Sequence, residues 1–146
     1  MRGMSLIVQV MTGLLAGILL LYGGYIILHG HLTPGGGFAG GVLVAAALIL
    51  VSLAFGAVEQ VERREYILSS IFESSGGLLF LGLAVAGYLA ADYFFRNAGL
   101  FYIGRPLELV SGGIIPLANI AIGLKVGAGL FAIFLALGAS RFVMKE

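Results

Sequence analysis

HGHLTPGGGFAGG, residues His29 to Gly41, sets two histidines, a proline and a cluster of glycines between long apolar runs. Proline lacks a backbone donor and disfavours helix in the residue before it, so Thr33-Pro34 stops a helix arriving from the N-terminal side. Gly35, Gly36 and Gly37 can turn with positive φ at no steric cost. Phe38 opens the next apolar run. Gly40 and Gly41 fall in its first turn, where missing side chains let another backbone approach closely. With His31 at its start, the stretch reads as a tight reversal plus a docking notch, joining two helices.

The flanking runs say where those helices live. The chain is 60% hydrophobic and 10% charged, with a mean hydropathy of +1.11. Soluble domains carry about 25% charged residues. A core built from 146 residues cannot absorb so much apolar surface, so the chain belongs in a bilayer. A spanning helix needs about 20 mostly apolar residues. Four segments qualify, at about 5–28, 38–58, 70–91 and 117–140. The predicted fold is all-α, a single membrane domain over 1–146 with about four transmembrane helices. The first run is uncharged from Gly3 to Leu32. It is too long for a secretory signal and lacks a small-residue cleavage pattern, so it reads as a retained helix. The absence of cysteine excludes disulfides, thiolate metal sites and iron–sulfur ligation by this chain. Tryptophan is absent too, leaving tyrosine and phenylalanine as the interfacial aromatics.

The connections differ in character. His29 to Gly37 is short and lacks Lys and Arg, whereas Glu59 to Glu65 (EQVERRE) reads as a solvated polar hinge. Asp92 to Pro116 is the longest, and its part LELVSGGIIP allows a short helix or a re-entrant segment. Arg105 and Glu108 are spaced for a local helical pair. With both termini on one side, that side carries Arg2, Arg63, Arg64, Arg141 and Lys145, against Arg96 and Arg105 opposite. The bias predicts a multi-pass cell-membrane protein with cytoplasmic termini and an outward glycine loop.

Nucleotide binding does not suit that loop. A Walker A sequence needs a lysine after its glycines, and no lysine or arginine stands between Arg2 and Arg63. A dinucleotide fingerprint needs a preceding strand, and both neighbours here are membrane spans. His29 and His31 supply two ligands with no third donor nearby, too few for a metal site. No catalytic residue, cofactor, metal or nucleic-acid partner is implied.

Two ionisable residues fall within or beside the spans. Lys125 lies about eight residues into the fourth span, roughly 12 Å deep, where a charge costs about 2.5–3.5 kcal/mol on insertion scales. Ala118, Ala121, Ala128, Ala132 and Ala136 recur around it at helical spacing, a small-residue row of the kind found at helix–helix contacts. Lys125 therefore faces protein or a hydrated cavity within protein, with snorkelling to the interface as the alternative. Glu73 is a first-turn carboxylate favoured by the helix dipole, or a participant in proton or sodium passage. Counted from level helix ends, the two differ in depth by about 11 Å, too far for a direct pair.

GHLTPGGGFAGG, followed by PLANIAIGLKVGAGL (Pro116 to Leu130), resembles the MnhB/MrpB family, small membrane components of the multisubunit Na+/H+ antiporters. The resemblance runs from about Gln9 to Phe142. It maps the family's Pro-Gly-Gly-Gly-Phe onto Pro34, Gly35, Gly36, Gly37 and Phe38, and its last-span asparagine and lysine onto Asn119 and Lys125. It implies a four-helix accessory subunit working alongside antiporter-like subunits of an Mrp-type assembly or of an archaeal hydrogenase membrane arm. Na+ and H+ would cross through that assembly, with Lys125, Glu73 and Asn119 as candidates for the ion path. A purely structural subunit is the other reading. One lysine and one glutamate make a thin proton path, so the chain should not transport alone.

Overall fold

A computed structural model describes residues 3–56, 63–97, 104–105, 107 and 111–143. Four helices follow in order: α1 Leu6–Leu28, α2 Gly36–Ala54, α3 Arg63–Ala91 and α4 Ile115–Val143. Each contains a stretch long and apolar enough to cross a membrane, and no strand occurs among the described residues. The protein is an all-α membrane protein.

The helix ends follow from local chemistry. Past Leu28 the amides of Leu32 and Thr33 both donate to the His29 carbonyl, and the Thr33 hydroxyl donates to the same oxygen at 3.1 Å. Proline at 34 prevents any further turn. Gly35 (φ 123°) and Gly36 (φ 60°) then reverse the chain into α2. α2 closes at Phe55, with Gly56 left-handed at φ 71°, the usual place for glycine past a helix end.

α3 begins earlier than the polar hinge suggests. Arg63, Arg64 and Glu65 form its first turn rather than part of a loop. No Gly or Pro interrupts RREYILSS, and charged residues propagate a helix as well as apolar ones do. The rest of the hinge, and Glu108 with its expected partnership to Arg105, lie outside the described residues. Of LELVSGGIIP, 112–114 form a turn that leads directly into α4 at Ile115.

Packing places α4 at the centre. It contacts α2 on one side and α3 on the other, and α1 packs mainly on α2. Among the described residues α3 touches neither α1 nor α2. Glycine makes the seams close. A Cβ at Gly40 would lie 2.7 Å from the Gly23 carbonyl of α1, and one at Gly41 2.8 Å from the Gly123 carbonyl of α4. A Cβ at Gly76 would lie 2.7 Å from the Lys125 amide nitrogen and 2.8 Å from the Ala121 carbonyl. Lipid tails give no hydrophobic force between spans, so such close backbone packing supplies the attraction instead. On the α3–α4 seam the Ser69 hydroxyl also donates to the Ala128 carbonyl at 2.7 Å.

Because α2 and α3 stand apart, an apolar cleft of about 570 Å³ opens between them over α4. Leu48, Leu68, Phe72, Leu124 and Phe131 are among its walls. Ser52 and Ser69 also line it, but each hydroxyl donates to a backbone carbonyl, Leu48 and Ala128 respectively.

Candidate functional site

The glycine turn is stitched to α4. The Gly37 amide donates to Asn119 Oδ1 at 3.3 Å. A Cβ at Gly37 would land on the Asn119 carbonyl oxygen, and one at Gly36 would lie 3.2 Å from Asn119 Oδ1. Asn119 thus takes one of the orphan amides that every helix start leaves open. Gly35, Gly36, Gly37, Gly40 and Gly41 act through backbone shape alone. Pro34 and Phe38 are exposed at the turn, and His31 packs beside Gly112, just before α4. The His29 ring turns back on its own helix. Its Nδ1 lies 3.0 Å from the Tyr25 carbonyl, and the ring stacks on Tyr25 at 4.0 Å. No group of three metal-ligating side chains occurs among the described residues.

The ionisable residues meet elsewhere. Lys125 Nζ stands 3.7 Å from Glu73 Oε1, across the α3–α4 seam. Glycine clears the space: a Cβ at Gly77 would sit 3.6 Å from Nζ, and one at Gly129 3.4 Å from the Glu73 carboxyl carbon. This overturns the expectation that the two lie too far apart in depth. Helix lengths alone put Glu73 about 27 Å from Ala91 and Lys125 about 15 Å from Ile115. The offset is absorbed because α3 overshoots the start of α4. Past Ala91 the chain doubles back, with Asp92 and Phe95 left-handed at φ 61° and 55°. Phe95 packs on Phe80 at 4.9 Å and Phe94 stacks on Tyr88 at 5.1 Å. Gly87 admits the returning backbone, since a Cβ there would lie 2.8 Å from the Arg96 nitrogen. Asn97 Oδ1 then accepts from the Ile114 amide at 2.8 Å, fixing the level of α4.

Two further expectations change. Glu73 lies ten residues into a helix that starts at Arg63, beyond the first turn where the dipole favours a carboxylate. Lys125 is not enclosed by its own chain: its side chain is 53% exposed, and that of Glu73 40%. The alanine row divides because α4 has neighbours on both sides. Ala121 and Ala132 are buried, whereas Ala136 is exposed. The ammonium does not run to a helix end either, since it stays beside Gly77 at mid-span. Neither Glu73 nor Lys125 lines the apolar cleft. The pair emerges on the other side of the seam.

A model of domains related to the MnhB subunit of Na+/H+ antiporters matches residues 7–132. The chain belongs to this MnhB-related family. An uncharacterized protein of Methanocaldococcus jannaschii is 40% identical over 124 residues, 82% of this MnhB-related chain and 47% of that protein. A Staphylococcus aureus protein named as antiporter subunit mnhB2 is 40% identical over 62 residues, 42% of this chain and 44% of its own. Among solved structures, a chain of the membrane-bound sulfane sulfur reductase, an archaeal respiratory membrane complex, superposes with a TM-score of 0.70 at 34% identity. That likeness covers 91% of this chain and 57% of the other. The chain spans about half the length of the relatives it matches. Of these relatives, one is named as an antiporter subunit and another is a chain of a respiratory membrane complex.

Proposed function

We propose that this chain is an accessory subunit of a multisubunit Na+/H+ antiporter module and contributes the Lys125–Glu73 pair to the ion path. The observation that carries this reading is the pair itself, two opposite charges 3.7 Å apart at mid-span in an MnhB-related protein. Intramembrane ionisable residues are costly and mark ion or proton routes. A loose, half-exposed pair can open. A proton or sodium ion arriving at Glu73 frees the ammonium, and a proton leaving Lys125 frees the carboxylate. Lysine is suited to this, because its surroundings readily tune its proton affinity. The glycine turn holds α1, α2 and α4 in one unit, which supports assembly. The chain is not itself an enzyme, and its termini lie in the cytoplasm, as the Lys and Arg bias favours.

Glu73→Gln tests the reading, since the amide keeps the shape and loses the charge. Na+-dependent proton exchange by the intact complex falls at least tenfold, while the complex still assembles. Exchange at the unmodified rate would refute a role for the pair. A second reading places the chain in the membrane arm of a respiratory redox complex, and the likeness to the sulfane sulfur reductase chain favours it. The subunit composition of the purified complex, from its intact mass, separates the two assemblies.

A further inference from the structure

The exposed side of the Lys125–Glu73 pair leaves a polar demand that a lipid tail cannot meet. Lys125 has three N–H donors. Its nearest carboxylate oxygen is 3.7 Å away, beyond hydrogen-bond distance, and more than half of the side chain is uncovered. One turn past Gly77 on the same side of α3, Leu81 is 58% exposed, and Ser74 next to Glu73 is exposed as well. Ionisable side chains within membrane spans almost always face protein or a water-filled cavity and pair there. The cleft on the other side of the seam makes a useful contrast, because its two serine hydroxyls are already satisfied by their own backbone.

We infer that the face of α3 and α4 carrying Lys125, Glu73 and Leu81 is covered by a membrane-spanning helix of a partner subunit. That helix presents a side-chain oxygen acceptor at the depth of Lys125. Charge complementarity selects the occupant: exposed ammonium donors call for an oxygen acceptor, which an acyl chain lacks. The inference rests on the pair's having a role in the assembly, and it adds where the partner sits and what chemistry it brings.

The test is cross-linking in the intact purified complex. A photoreactive phenylalanine analogue replaces Ser74 in one variant and Leu81 in another, both exposed on α3 on the side of the pair. Illumination yields a covalent adduct to another subunit. The mapped peptide lies in a membrane span and holds an Asp, Glu, Asn, Gln, Ser or Thr within one helical turn of the attachment point. Adducts to lipid alone overturn the inference, as does a partner span without such a residue. If the Ser74 variant fails to assemble, the Leu81 variant decides by the same criteria. Because cross-linking does not depend on transport, a loss of the ion-path reading in the Glu73→Gln experiment leaves this result separately readable.

Discussion

The amide of Gly37 donates to the side chain of Asn119 at 3.3 Å, joining the start of α2 to the first turns of α4 across 82 residues. The same approach leaves no space for a Cβ at Gly37, which would strike the Asn119 backbone. Gly37→Ala therefore forces α2 and α4 apart and costs about 1–3 kcal/mol, as overpacking does. Heat-induced loss of helicity in detergent measures it. A transition unchanged from the parent chain would show the contact to be slack.

Gly13 and Gly17 of α1 give the opposite expectation. Nothing in the chain lies within 4 Å of a Cβ at either position. Gly→Ala in a helix interior gains up to about 1 kcal/mol, so Gly13→Ala leaves the isolated chain as stable or more so. A marked drop in the same melting experiment would mean that α1 packs differently.

Asn97 acts at long range. Its side chain accepts the Ile114 amide at 2.8 Å, where the α4 helix begins. Asn97→Ala removes a hydrogen bond worth about 1 kcal/mol. It also loosens the fold-back that levels Lys125 with Glu73, so exchange falls together with stability. An inactive variant with parent-like melting, or a destabilised one with full exchange, would separate the two roles assigned to this residue.

Four spans are legible in composition alone, because no core of this size can hide so many apolar residues. The reversal at Pro34 to Gly37 is legible too, since few backbones other than a turn accommodate that run. The pairing of Lys125 with Glu73 is not. It depends on where α3 ends relative to where α4 starts, and that offset is set by tertiary contacts: the Phe80–Phe95 packing, the gap at Gly87 and the Asn97–Ile114 hydrogen bond. None of these has a periodic signature. The start of α3 escapes sequence reading for a simpler reason. The charges of EQVERRE suggest a loop, yet Arg and Glu continue a helix readily once it leaves the membrane.

The proposed cytoplasmic placement of the termini, which the positive-inside bias favours, is checked by labelling. Single cysteines at Ser5 and Thr33 are exposed to an impermeant thiol reagent on intact cells. Position 33 is labelled and position 5 is protected until the membrane is opened. The reverse pattern would invert the protein.

The role of Lys125 in the ion path is tested by Na+-dependent proton exchange in membrane vesicles, with assembly of the complex followed in parallel. Lys125→Ala abolishes exchange while the complex still forms, because Glu73 is left without its counter-charge. Lys125→Arg also impairs it, since arginine keeps the charge but does not release its proton. Parent-level exchange by an intact complex carrying alanine at this position would exclude Lys125 from the ion path.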